Sequence, residues 1–191
     1  MAHKGFYFNQ DKCMGCRTCQ IACKDKNDLG LGIVYRAVNT FEVGTFPNVA
    51  AYQLSHTCNH CESPACVANC PTGAMYIDDE DGTTQHDDEV CIGCETCVKS
   101  CPYEVPQYLP ELKITGKCDA CLSLRKNGEE NMCVASCPMR ALEFGDIEEL
   151  RAKHPEAVDK IAVLPEPDTA PSLAIDAKPA ALEEDWASVL V

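Results

Sequence analysis

The sequence predicts an α+β chain: two modules of short helices and small antiparallel sheets, followed by an extended C-terminal tail. Three observations predict it. Sixteen cysteines in 191 residues fall into four runs of four, and none lies outside a run. A unit of cysteine loop, short helix and strand recurs along the chain, which marks an internal repeat. Beyond the last repeat the composition turns to proline, alanine and acid, with no cysteine.

The runs are Cys13, Cys16, Cys19, Cys23; Cys58, Cys61, Cys66, Cys70; Cys91, Cys94, Cys97, Cys101; and Cys118, Cys121, Cys133, Cys137. The first and third read C-x2-C-x2-C-x3-C, the spacing of bacterial ferredoxins that hold [4Fe–4S] clusters. The second stretches one gap to four residues, and the fourth stretches one to eleven. Three runs end in Cys-Pro, at Pro71, Pro102 and Pro138. Two-residue gaps let a tight loop wrap three iron corners while its N–H groups point inward at the cluster's sulfurs, a concavity suited to an anion. Gly15 and Gly93 stand where that turn needs a permissive backbone. A three-residue gap spans one helical turn. In two-cluster ferredoxins the fourth cysteine ligates the neighbouring cluster. Sixteen thiolates thus supply four [4Fe–4S] clusters, and the modules read as ferredoxin-like.

Along the chain, Gly5–Phe8 reads as a strand entering the first loop and Ile21–Lys26 as the helical turn after it. The alternating stretches Arg36–Phe41 and Val49–Leu54, broken by Gly44 and Pro47, predict a hairpin. Ala74–Ile77 and Thr83–Gln85 predict a second pair across the acidic turn Asp78–Gly82. Ala141–Phe144 holds the same place after the fourth run, and Ile147–Lys153 reads as a helix. Leu164–Ala180 carries Pro165, Pro167, Pro171 and Pro179 and is expected to be extended. From Asp146 onward there are eleven acids against four bases. Leu173, Ile175, Leu182, Trp186, Val189 and Leu190 are apolar anchors that disordered tails lack. They favour a tail laid along another subunit, the alternative being packing on the chain's own surface. Trp186 is the only tryptophan, a residue favoured at interfaces.

Composition excludes several roles. Aromatics make up only 6%, so the apolar core is thin and cluster binding is expected to supply much of the folding free energy. A net charge of −14 argues against nucleic acid and against docking on anionic lipid. No apolar run approaches the length of a membrane helix, and the N-terminus reads as having no signal peptide. Zinc sites are built from two separated pairs and do not repeat a C-x3-C-P ending three times. A disulfide framework suits small secreted domains, and a cysteine nucleophile needs a base and an orienting group beside it.

The segments Cys13–Asp25 (CMGCRTCQIACKD), Cys58–Cys66 (CNHCESPAC), Cys101–Tyr108 (CPYEVPQY) and Cys137–Gly145 (CPMRALEFG) resemble the iron–sulfur subunit of the dimethyl sulfoxide reductase family. The resemblance covers roughly residues 5–153. It implies a non-catalytic electron-transfer subunit, relaying electrons between a membrane quinone partner or other donor and a bis-molybdopterin guanine dinucleotide (bis-MGD) catalytic subunit. It also implies a nested pairing of runs. One cluster takes Cys13, Cys16, Cys19 and Cys137, and a second takes Cys118, Cys121, Cys133 and Cys23. A third takes Cys58, Cys61, Cys66 and Cys101, and a fourth takes Cys91, Cys94, Cys97 and Cys70. Residues 1–57 and 102–153 would then form the first module, 58–101 the second, and 154–191 a partner-binding tail. Some relatives replace the residue matching Cys97 by tryptophan and hold a [3Fe–4S] cluster there; the cysteine here implies four cubes.

Arg17, Lys24 and Lys99 are expected to raise the potentials of nearby clusters, and Glu95 to lower them. His60 is expected either to hydrogen-bond a cluster sulfur or to face solvent. His56 and His86 carry no distinct signal, and Tyr103 and Glu104 read as loop filling. The expected location is at a membrane through partner subunits, on the cytoplasmic face or exported with the catalytic subunit. Two other functions stay open: a freestanding polyferredoxin, and a zinc scaffold that metal analysis would separate.

Overall fold

A computed structural model describes residues 3–189. The first half runs β1 (Lys4–Asn9), α1 (Thr18–Lys26), β2 (Ala37–Thr45), β3 (Asn48–His56), α2 (Ala65–Ala68), β4 (Met75–Ile77), β5 (Thr84–His86) and α3 (Thr96–Ser100). The second half runs β6 (Gln107–Leu109), β7 (Ile114–Gly116), α4 (Leu122–Lys126), α5 (Met132–Ala135), β8 (Leu142–Asp146), α6 (Ile147–Lys153), β9 (Leu173–Asp176) and β10 (Ala187–Val189). This is the expected α+β architecture of short helices and small sheets.

The apolar run Gly5-Phe6-Tyr7-Phe8 is buried along its whole length, so it needs partners on both edges and cover on both faces. Strand β8 pairs antiparallel with one edge, in register Phe6 to Phe144, and β9 pairs parallel with the other, Phe6 to Leu173. The first strand, the strand after the fourth run and the tail therefore share one sheet. At Gly5 the approach is so close that a Cβ would lie 2.1 Å from the Ser172 carbonyl oxygen. Helix α6 spans the expected residues because Asp146 caps it, accepting from the Glu148 and Glu149 N–H groups at 3.0 and 3.2 Å. Its buried Ile147 and Leu150 pack on Tyr7 and Ala174.

The predicted hairpin forms as β2–β3, in register Phe41 to Tyr52, with Val38, Val43 and Leu54 also inside. Strands β4 and β5 form the second expected pair. Helices α1, α2, α3 and α5 each carry the third cysteine of a run, and the fourth follows one turn later. Unpredicted are the β6–β7 hairpin, helix α4 inside the long gap of run four, and the strands β9 and β10. The β6–β7 turn lies against the run-three loop, where the Gly93 position is close to the Lys113 carbonyl.

The tail differs from expectation at its anchors. Leu173 and Ile175 do not face outward: they are 9% and 0% exposed, inside this chain's own sheet. The reason is the second edge of β1, whose N–H and C=O groups need a strand beside them. Trp186 stacks edge-on against Phe41 at 5.6 Å, and β10 adds Val189 to the edge of β2. Leu182 and Trp186 stay partly exposed, and Leu190 lies outside the described residues.

Candidate iron–sulfur centres

The fold gathers the thiols into four sets that mix the runs. Cys13, Cys16, Cys19 and Cys137 line one cavity together with Phe8, Arg17 and Leu142. Cys23 lies among Cys118, Cys133 and Cys121, joining the end of run one to run four. Cys58, Cys61, Cys66 and Cys101 line another cavity, with Lys117 and Thr169 in its wall. Cys70 stands beside Cys94 and Cys97, with Cys91 on the same loop. All sixteen thiols are free of disulfides. Among the described residues no three His, Cys, Asp or Glu side chains close on a single-ion site.

One backbone device recurs in all four loops. The residue before the second cysteine has positive φ in every run: Gly15 at 73°, His60 at 47°, Gly93 at 65° and Ala120 at 51°. Glycine adopts this conformation freely, whereas His60 and Ala120 hold it against steric cost. Left-handed residues set between right-handed or extended ones turn successive N–H groups toward one side, which makes an anion-binding nest. Other N–H groups reach the sulfurs: Ala120 to Cys118 Sγ at 3.3 Å, Ala141 to Cys137 Sγ at 3.3 Å and Met75 to Cys70 Sγ at 3.5 Å. Hydroxyl groups add to them, with Thr18 3.3 Å from Cys16 Sγ and Thr96 3.4 Å from Cys94 Sγ. The tail contributes one more: Thr169 Oγ1 donates to Cys61 Sγ at 3.2 Å. Residues 169–172 are tied to run two by Ser63 N–H to Thr169 O at 3.1 Å and Ser172 N–H to Asn59 O at 3.0 Å.

Burial sets the acidity of the inner thiols. It pushes Cys61 and Cys121 up to about 11 and Cys66 up to about 12, and it raises Cys23, Cys118 and Cys133 as well. The Thr18 and Thr96 hydroxyls instead lower Cys16 and Cys94, both exposed. Bare thiolates are thus disfavoured inside the molecule, and a metal group that binds there must displace protons. Four soft sulfur donors per set, inward N–H groups and low-dielectric walls fit a thiolate-bound iron–sulfur cube.

Two cations that sequence reasoning did not single out lie among these sulfurs. Arg36 is 1% exposed and Lys117 is 5% exposed, and neither has a carboxylate within ion-pair distance among the described residues. Lys117 could have been noticed from its place beside Cys118, but Arg36 precedes a strand and carried no signal. Of the residues singled out, Arg17 lines the first cavity. The Lys24 Nζ donates to the main-chain oxygens of Gly30 and Ile33, the latter at 3.0 Å. His60 does not face solvent: it is fully buried, and burial together with Lys117 and Arg125 holds it neutral.

Sixteen thiols in four mixed sets, held by anion-binding loops, define a multi-cluster iron–sulfur electron carrier. Residues 49–147 match the family model described as a 4Fe-4S dicluster domain, and residues 10–28 match that of a 4Fe-4S binding domain. The protein is 42% identical over 185 residues to the B subunit of anaerobic dimethyl sulfoxide reductase from Haemophilus influenzae, covering 92% of its own length and 89% of the relative. It is 48% identical over 158 residues to the probable anaerobic dimethyl sulfoxide reductase subunit YnfG of Escherichia coli, covering 78% and 77%. It is 38% identical over 148 residues to the thiosulfate reductase electron transfer subunit PhsB of Salmonella typhi, covering 74% of each. This protein belongs to the iron–sulfur subunits of the dimethyl sulfoxide reductase family. It is a non-catalytic electron-transfer subunit that carries [4Fe–4S] clusters.

Proposed function

We propose that each of the four thiol sets holds one [4Fe–4S] cube and that the sets form a single line for electrons. Cys13, Cys16, Cys19 and Cys137 would hold the first centre, and Cys23, Cys118, Cys121 and Cys133 the second. Cys58, Cys61, Cys66 and Cys101 would hold the third, and Cys70, Cys91, Cys94 and Cys97 the fourth. The first two centres define a module of the chain's ends and the last two a module of its middle. When bound, each cube takes up and gives back one electron. The residues of this protein position it, exclude water and set its potential.

The order of neighbours supports the line. Cys19 of the first set is beside Cys133 of the second, Cys118 of the second beside Cys58 of the third, and Cys66 of the third packs with Cys70 and Cys97 of the fourth. The observation that carries the reading is where the thiols meet solvent. The two exposed cysteines are Cys16 and Cys94, one in each terminal set. Exposed apolar residues surround both: Met14 and Met139 near the first, Val90 and Ile92 near the last. These ends suit two partners, a bis-MGD catalytic subunit at one and a membrane quinone subunit or other donor at the other. No described helix is long and apolar enough to cross a membrane, so membrane association would run through a partner.

The test uses the native complex, isolated without oxygen. Replacing Cys133 by serine should leave the large subunit bound and abolish quinol-driven turnover, while a small dye that reduces the catalytic subunit directly still supports it. Unimpaired quinol-driven turnover with the second centre missing would overturn the line. Isolation of the protein from native extract as a free monomer would favour the freestanding carrier instead.

A further inference from the structure

We propose that Arg36 and Lys117 are the potential-setting residues of the line, one buried cation at each of its first two junctions. The inference rests on the four-centre reading above and goes beyond it, since it assigns a role to residues that hold no iron.

Arg36 lies between the first and second sets. Its Nη1 donates to the Ser55 carbonyl at 3.3 Å and to Ser55 Oγ at 3.1 Å, and that hydroxyl is 3.5 Å from Cys19 Sγ. The guanidinium carbon stands 4.6 Å from the centre of the Phe6 ring. Nη2 is buried with no oxygen or nitrogen acceptor among the described residues. Cysteine thiols are its foremost electrostatic neighbours, Cys133 and Cys19 first, then Cys118 and Cys23, and these belong to the first and second sets. Lys117 occupies the next junction. It precedes Cys118 of the second set and lines the cavity of the third, where it is an electrostatic neighbour of Cys66. Its Nζ donates to the carbonyls of Thr84 and of Cys118, the latter at 2.9 Å.

A buried charge without a counter-ion is costly, and folded proteins pair it. Arg125 obeys this rule here through an ion pair with Asp81. Arg36 and Lys117 do not; what stands in place of a carboxylate is cysteine sulfur, which is anionic when it ligates iron. A thiolate-bound cube becomes more negative on reduction. A fixed cation inside low-dielectric walls therefore stabilises the reduced form and raises the midpoint potential. Set between two centres, it raises both and weakens the repulsion between neighbouring reduced centres. The third junction is built differently: Met75, Val67 and Val98 pack around Cys66, Cys70 and Cys97.

The experiment is a redox titration of the native complex, followed by paramagnetic resonance, for Arg36→Met, Arg36→Lys and Lys117→Met. In Arg36→Met the reduction equilibria of the first and second centres should each fall at least tenfold, which is 59 mV for a one-electron couple. The third and fourth should keep their midpoints, and Arg36→Lys should keep all four. Lys117→Met should lower the second and third centres and spare the first and fourth. Unchanged midpoints in both methionine variants at full iron content overturn the proposal. So does loss of iron in both methionine variants, since the cations would then serve assembly rather than potential. Iron content of the unaltered complex tells the two failures apart: a shortfall there overturns the four centres and this proposal with them, whereas full iron with unchanged midpoints overturns this proposal alone.

Discussion

Gly93 shows how narrowly one residue can fix a centre. Its φ of 65° is left-handed, and a Cβ would lie 2.3 Å from the Lys113 carbonyl, a main-chain atom with no freedom to retreat. Gly15 has the same conformation in run one but faces the Gln53 side chain at 3.0 Å, which can move. Gly93→Ala is expected to cost about 1–3 kcal/mol from overpacking, with the loss concentrated in the fourth set. Iron per molecule should fall by about four, one cube, while Gly15→Ala loses less; equal iron in Gly93→Ala and the unaltered protein would contradict this. At this scale the sequence was legible wherever a residue type carries its own chemistry. All sixteen thiols were readable from spacing, as were the two glycines. Arg36, Lys117 and Thr169 were not, because their importance comes from burial by segments far away in the chain. Thr169 reaches Cys61 across 108 positions.

Among the elements, the central sheet offers the sharpest test. Tyr7 on β1 donates its hydroxyl to Asp176 on β9, Asn9 donates to the same hydroxyl at 3.0 Å, and His154 stacks on the ring at 3.7 Å. Burial, then the bond to Asp176, pushes the Tyr7 hydroxyl up to about 12 from its ordinary 10.0. A phenol whose acidity is weakened by folding stabilises the fold fully below pH 10 and loses that contribution as pH rises toward 12. Denaturant unfolding of Tyr7→Phe should therefore show lower stability than the unaltered protein at pH 8, and the gap should narrow between pH 10 and 12. A gap independent of pH would contradict the assignment. Strand β1, the β2–β3 hairpin and helix α6 were readable because an apolar run, an alternation and an aspartate cap each specify local structure. Strand β9 was not legible as a strand of the central sheet, since its partner lies more than 160 positions earlier and nothing local marks the pairing. The β6–β7 hairpin escaped notice because three-residue strands are too short to show a period.

At the scale of the whole molecule, buried cysteines and apolar side chains of the sheets share one core. The protein carries a net charge of −14, its most exposed thiols are Cys16 and Cys94, and the proposed path runs from one to the other through the buried sulfurs. The proposed nested order, in which the chain's ends build one pair of sets and its middle the other, is what family resemblance implies, because spacing alone does not say which loops meet. What resemblance left out was the sealing of run two by residues 169–172 and the cations between the sets. The most direct test of the account is the content of iron and acid-labile sulfide in protein isolated without oxygen. Four cubes predict about sixteen of each per molecule, with a paramagnetic signal on reduction. Stoichiometric zinc, or iron for no more than two cubes, would contradict it.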